Sequence, residues 1–296
     1  MNIHSVLLFI LVSLGITGTA TAEEWAYLDN SYLRIGIDKS RGACIGYFAP
    51  KGAKENLLDH FDTGRFLQQS YYGDPDGSQW VDKPWVYNPV QGGSYKNLPS
   101  KVTEYHSNPN TLFAKITPRN WAGGQLLSEV TMTETITLDD YFAKIDFEMN
   151  YDGTKTHKPR HQELPAVFVR AEYDTLVTYT GDAPWTGAEL HRRKPGFPNE
   201  SVRMTENWVA YVNKDDVGIG IYVPGITEAT CYRYQEATSA CSYVAPIKTF
   251  ALTPGLKHKY TVYLTCGSIE QIRLRFKVLQ ASSADSASMP APSNSP

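Results

Sequence analysis

The chain has 296 residues, a formal net charge of −3 and 12% aromatic residues, including 19 Tyr and 6 Trp. That charge balance leaves no basic surface on the scale a nucleic-acid ligand needs. So many Tyr and Trp exceed what a core alone requires, because each keeps one polar end that seeks water or a ligand.

Residues 1–22 contain the apolar run Val6–Val12 and end in Ala20-Thr21-Ala22. This reads as a signal peptide cleaved after Ala22, and the run is too short to span a bilayer. A secreted, extracellular chain beginning at Glu23 is expected, with no membrane attachment after cleavage. Residues 23–280 read as a single domain. Tyr32–Ile37 and Ala43–Phe48 alternate around the turn Asp38–Gly42, which predicts a hairpin. Val130, Met132, Ile136 and Leu138 share one strand face, and Ala143, Ile145, Phe147 and Met149 one face of the next strand. Further strands are expected around 111–117, 164–170, 174–180, 207–213, 217–223, 229–234, 241–250 and 258–265. No strand–helix–strand rhythm appears, so the expected class is all-β, a large antiparallel two-sheet β-sandwich. One short C-terminal helix is predicted: Ser268 caps it, Gln271 completes a capping box, and Ile269, Ile272, Phe276 and Leu279 form its apolar stripe. Residues 281–296 are rich in Ala, Ser and Pro and are expected to be a disordered tail. The even count of four cysteines in an exported chain suggests two disulfides: Cys231 with Cys241 across a hairpin, and Cys44 with Cys266 tying the first strands to the last.

Three clusters carry the chemistry. In Arg65-Phe66-Leu67-Gln68-Gln69-Ser70-Tyr71-Tyr72, polar side chains point to both faces of what reads as a core strand. Unpaired burial of such groups is costly, so at least one face must line a wet cleft or a dense hydrogen-bond network. The second cluster is Trp80, Trp85, Tyr87, Asn88 and Gln91, in the long Gly/Pro-rich segment 73–97; flat aromatics beside amides suit a sugar platform. The third is Arg160-His161-Gln162-Glu163, where His161 and Glu163 share one strand face and can act as acid and base. Glu163 is the preferred catalytic carboxylate. Glu134 lies on an otherwise apolar face and needs a partner, for which Arg65 is a candidate. Glu206-Asn207-Trp208 and Pro184-Trp185-Thr186-Gly187 are polar–aromatic turns that add Glu206, Asn207 and Trp185 to the candidate binding residues. No metal site is expected: there is no C-x-x-C pair, and Pro159 breaks the helical spacing of His157 and His161.

The runs Gly64-Arg65-Phe66-Leu67-Gln68-Gln69-Ser70-Tyr71-Tyr72, Asn88-Pro89-Val90-Gln91-Gly92-Gly93 and Gln162-Glu163-Leu164-Pro165-Ala166-Val167 resemble a group of secreted proteins similar to the galactose-mutarotase-like super-sandwich of carbohydrate-active enzymes. The resemblance implies a concave sheet face that handles sugars, with Glu163 as base and His161 as acid. The expected partner is therefore a poly- or oligosaccharide, with no cofactor, and the expected activity is polysaccharide cleavage. Hydrolysis calls for two carboxylates, Glu163 with Glu134 or Asp62. Lyase chemistry calls for a base such as His161 or Tyr72, with Arg65 and Gln69 or Asn88 neutralising a uronate. A carboxylate beside Glu163 favours the first, and Tyr with Arg the second. The alternative is a non-catalytic carbohydrate-binding or extracellular matrix protein, which keeps the aromatics and amides but does not need Glu163.

Overall fold

The computed structural model describes residues 24–236 and 238–288. The expected signal peptide and the last eight residues of the expected tail lie outside the described residues. Two antiparallel sheets dominate. The nine-stranded sheet runs, in spatial order, Lys101–Asn108, Thr111–Thr117, Val130–Asp139, Phe142–Tyr151, Leu256–Ser268, Val217–Tyr222, Trp208–Val212, Thr175–Thr178 and His191–Arg193. The seven-stranded sheet runs Arg119–Asn120, Pro89–Val90, Gln68–Ser70, Arg160–Arg170, Cys241–Phe250, Glu228–Tyr234 and Glu200–Arg203. Trp25–Asp29, Leu33–Asp38 and Cys44–Pro50 make a third, three-stranded sheet. It bridges to the segment before Gln68 through reciprocal backbone bonds between Ile45 and Leu67.

The alternation legible in the sequence is the packing itself. Val130, Met132 and Ile136 with Ala143, Ile145, Phe147 and Met149 are buried between the sheets, and their odd-or-even neighbours face solvent. The first hairpin turns at Asp38, whose carboxylate accepts from Ser40 N at 2.9 Å, and at Gly42, with φ of 63°. A Cβ at Gly42 would sit 2.0 Å from the Gln91 carbonyl oxygen, so only glycine lets these two segments meet.

Trp208–Val212 is buried on both faces: Val209 and Tyr211 join the main core, while Trp208, Ala210 and Val212 meet the C-terminal helix. That helix, Ile269–Ser288, lies on the outer face of the nine-stranded sheet and buries Ile269, Ile272 and Phe276 there, with Leu279 packed alongside. Its start is capped as the sequence suggests, with Ser268 N donating to Gln271 Oε1 at 3.0 Å and Gln271 N to Ser268 Oγ at 3.4 Å. The helix extends past Gln280 to Ser288.

The expected disulfides do not form: Cys44, Cys231, Cys241 and Cys266 are all buried free thiols. Register is the reason. Cys231 pairs across the ladder with Val244, and Cys241 with Tyr234. Cys231 also points into the main core, whereas Cys241 belongs to the apolar cluster on the opposite face of the sheet. Cys44 lies against Gln68, its thiol donating to Oε1 at 3.3 Å. On unfolding without reductant, all four thiols are expected to react with a thiol reagent; a chain with two disulfides would show none.

Candidate functional site

Strand Arg160–Arg170 carries one extra residue relative to its neighbour: Glu163 pairs with Ile247, but Val167 pairs with Val244. This bulge reverses the alternation. Leu164, Val167 and Val169 point into the main core, while Glu163 before the bulge and Ala166 and Phe168 after it share the outer face of the seven-stranded sheet. Glu163 stands opposite Ser70 on the next strand. The residue as a whole is partly buried. The Tyr72 hydroxyl donates to Glu163 Oε1 at 2.9 Å, and the Tyr243 hydroxyl donates to the same oxygen.

Burial pushes the Glu163 carboxyl above the ordinary carboxylate value, and the neighbouring hydroxyls only partly offset it. Burial, reinforced by the charge of Glu163, holds the Tyr72 and Tyr243 phenols well above their ordinary value, so both remain protonated donors. Tyr232 stacks on Tyr243 at 4.5 Å and its phenol is raised too, by burial and by Cys241 and Glu163. Phe168 closes the far side of Tyr243 at 4.9 Å. Arg65 lies at the rim, 5.7 Å from the Tyr234 ring and 5.1 Å from that of exposed Phe61, and is tethered by Asp62 at 3.4 Å and Asp59 at 3.9 Å. A partly buried glutamate of raised affinity for protons, ringed by protonated phenols, can take a proton from one ligand atom while a neighbouring phenol supplies one to another.

The other expected residues fall into three places. His161 shares the outer face with Glu163 but is exposed. Gln162 is buried and clamps the backbone of Tyr72, accepting from Tyr72 N at 2.6 Å and donating to Tyr72 O at 3.0 Å and Phe250 O at 2.9 Å. It holds the backbone from which the Tyr72 phenol projects. Asn88 is buried, accepts from Trp85 Nε1 at 3.2 Å and donates to Tyr71 O at 2.7 Å. Gln68 is spent on Gly64 O at 2.6 Å and Gly92 N at 2.8 Å.

Gln69, Tyr71, Gln91 and Glu134 form a second network, inside the sandwich. Gln69 Nε2 donates to Thr133 O at 3.0 Å, Tyr71 donates to Gln69 Oε1 at 3.1 Å, and Gln91 Nε2 donates to Glu134 Oε2 at 3.0 Å. Glu134 is fully buried. It is therefore on the opposite side of the seven-stranded sheet from Glu163, and its partner is Gln91 rather than Arg65.

Glu206, Asn207 and Trp185 sit on the outer face of the nine-stranded sheet, beside the helix. Fully buried Glu206 accepts from Arg273 at 2.7 and 3.1 Å, from Trp208 Nε1 at 2.9 Å and from Trp185 N at 2.7 Å. Asn207 Nδ2 donates to Ile226 O at 2.8 Å. A groove of about 470 Å³ beside the helix is lined by Trp185, Leu190, Arg273, Leu274 and Lys277 among others, and one of about 430 Å³ on the same sheet by Phe113, Thr131 and Asn150 among others; neither includes Glu163. The outer face around Glu163 is lined by the aromatic side chains of Phe168, Tyr232 and Tyr243.

Sequence reasoning does not pick out Tyr243, Tyr232 or Phe168. The one available signal is the alternation of Tyr232 and Tyr234 on a strand, which marks an aromatic face without saying which side it lies on.

No protein-family model matches the chain, and no curated protein matches it by sequence. Solved structures match it at low identity. A galactose mutarotase-like protein from Lactobacillus casei ATCC 334 superposes with a TM-score of 0.56 at 13% identity, over 82% of this chain and 99% of that one. A galactose mutarotase related enzyme from Lactobacillus acidophilus gives 0.55 at 11%, over 82% and 97%. The Slr1438 protein from Synechocystis sp. PCC 6803 gives 0.54 at 13%, over 82% and 96%. The chain thus has the galactose-mutarotase-like sandwich fold, and the likeness establishes the fold alone.

The buried network yields a stability prediction. Burial raises the Glu134 carboxyl from 4.5 to about 8, opposed by the Gln91 hydrogen bond. A value higher in the folded than in the unfolded state means folding favours the protonated form. The stabilisation is complete below pH 4.5 and is lost as pH rises through about 8. Glu134→Gln removes the titration, so the wild type should lose on the order of 4 kcal/mol relative to the variant between about pH 5 and pH 9. Urea midpoints across that range measure it; parallel curves for the two proteins would contradict it.

Proposed function

We propose that this chain is a secreted carbohydrate-active enzyme whose site is the outer face of the seven-stranded sheet, with Glu163 as its acid–base group. One observation carries the reading: Glu163 is only partly buried, on an aromatic face, and its protonated partners are the phenols of Tyr72 and Tyr243. The galactose-mutarotase-like fold supports a sugar ligand, and aromatic side chains with polar tips suit one. Two-carboxylate hydrolysis is the weaker chemistry here, because Glu134 lies inside the sandwich and Asp62 is engaged with Arg65. Tyr and Arg around a single carboxylate fit β-elimination on a uronate polymer. Glu163 takes the proton on the carbon α to the uronate carboxylate, that C–H electron pair forms the new C=C bond, and the bond to the glycosidic oxygen breaks. Tyr72 gives that oxygen its proton. Arg65, tethered by Asp59 and Asp62 beside the Tyr234 ring, is the cation proposed to meet the uronate carboxylate through its remaining N–H groups.

The aromatic lining of the face favours one other reading, a binding protein that stacks sugars on the same rings and needs no base. The test is a polysaccharide panel with purified mature protein, read for reducing ends and for the absorbance of unsaturated uronates, with Glu163→Gln alongside. New reducing ends together with the chromophore, and at least a hundredfold loss in the folded variant, are expected. Reducing ends without the chromophore would mean a hydrolase. No cleavage, with binding that survives in the variant, would mean a binding protein.

A further inference from the structure

Trp80, Trp85 and Trp121 form a cluster that the Glu163 chemistry leaves unused. Their ring centroids lie 5.3, 5.2 and 5.2 Å apart, and Tyr95 adds a fourth ring 5.5 Å from Trp121. All three indoles remain partly exposed. Trp80 and Trp85 are carried on the hairpin Pro75–Trp80 and Lys83–Val86, most of whose other residues are exposed. Trp85 donates to Asn88 Oδ1, whereas the indole N–H groups of Trp80 and Trp121 have no partner among the described residues.

The cluster and Glu163 share a face. Arg119, Val90, Ser70 and Glu163 stand in one row across four strands. Two residues along, Trp121 N donates to Asn88 O at 2.9 Å, so Trp121 extends the edge strand opposite Asn88. A polar line then runs inward: Trp85 Nε1 to Asn88, Asn88 Nδ2 to Ser70 Oγ at 3.4 Å, and Ser70 to its ladder partner Glu163. Three strand spacings separate the edge strand from that of Glu163, roughly 14 Å. A Cβ placed on Gly64 would lie 3.1 Å from Trp121 Nε1 and 3.3 Å from Asp62 Oδ1, so the rim segment bearing Arg65 begins against the tryptophans.

We infer that Trp80, Trp85 and Trp121 form a second carbohydrate subsite for the same polymer, so that the ligand is a chain of several sugar units lying across the strands, one stretch on the tryptophans and another over Glu163. This rests on the sugar-binding reading of that face. Flat apolar sugar faces stack on indole rings, the free indole N–H groups meet hydroxyls, and the separation is one that only an oligomer bridges. Monosaccharides would reach one end alone.

The experiment follows tryptophan emission and iodide quenching in the full mature protein while galacturonic acid, a ladder of oligogalacturonates and a ladder of malto-oligosaccharides are added. One ladder is expected to shift the emission and protect it from iodide, with affinity rising steeply once oligomers span both stretches. Trp80→Ala should weaken the longest oligomers at least tenfold and leave the shortest unchanged, and Trp80→Phe, which keeps ring packing, should weaken them less. Melting curves establish that each variant is folded, and the Phe variant carries the test should the Ala variant fail to fold. Folded Trp80 variants that bind long oligomers as the wild type does, or no emission response to either ladder, would overturn the proposal. Glu163→Gln separates the two readings: if it cleaves at the wild-type rate, the acid–base assignment fails, while a length dependence that Trp80 controls still supports the subsite.

Discussion

The structure depends on a strand that cannot hide its polarity. Gln68–Ser70, continued by Tyr71 and Tyr72, lies in the middle of the seven-stranded sheet, where one face looks into the sandwich and the other outward. Every polar group on it must find a partner, because an unpaired buried amide or hydroxyl costs more than most single contacts return. The inward set, Gln69 and Tyr71, is met by a backbone carbonyl and by Gln69 itself, next to the Gln91–Glu134 pair. The outward set, Ser70 and Tyr72, is met by Asn88 and by Glu163. One strand thus supports a closed network in the core and an open one at the surface.

The open network exists because of the bulge beside Glu163. Without the extra residue, Glu163 and Val167 would share a face, and either a carboxylate would enter the core or an apolar side chain would leave it. With it, the carboxylate and Phe168 both face outward and Val167 and Val169 face inward. Three acidic side chains then take three different forms. Glu206 is buried and neutralised by Arg273, holding loop, strand and helix together. Glu134 is buried with a single amide and is driven to keep its proton. Glu163 alone combines partial exposure, raised proton affinity and protonated phenol neighbours, the combination that proton transfer to a bound ligand requires.

Much of the fold is written in period-two patterns that survive folding unchanged. The hairpin from Val130 to Tyr151 and the capping box at Ser268 could be read directly, because alternation and capping are local. What could not be read is set by register, which sequence spacing does not fix. Cys231 and Cys241 look like a staple across a hairpin, yet their ladder partners are Val244 and Tyr234, and their side chains leave opposite faces. Glu134 is legible as an inward carboxylate in need of a partner, but which partner is not: Gln91, and not Arg65, meets it. Glu163 was legible as a strand carboxylate beside His161. The phenols that surround it were not, since Tyr243 arrives from a distant strand and nothing in its local sequence separates it from a core tyrosine.

The most direct test is where a sugar sits. A crystal structure of Glu163→Gln soaked with an oligosaccharide that the wild type binds or cleaves places the ligand without reference to kinetics. Sugar rings over the substituted side chain, within hydrogen-bonding reach of Tyr72 and Tyr243, are the expected result. A ligand lodged instead in the groove of Trp185 and Leu274 beside the helix, with the outer face of the seven-stranded sheet empty, would contradict the assignment of Glu163 as the centre of the site.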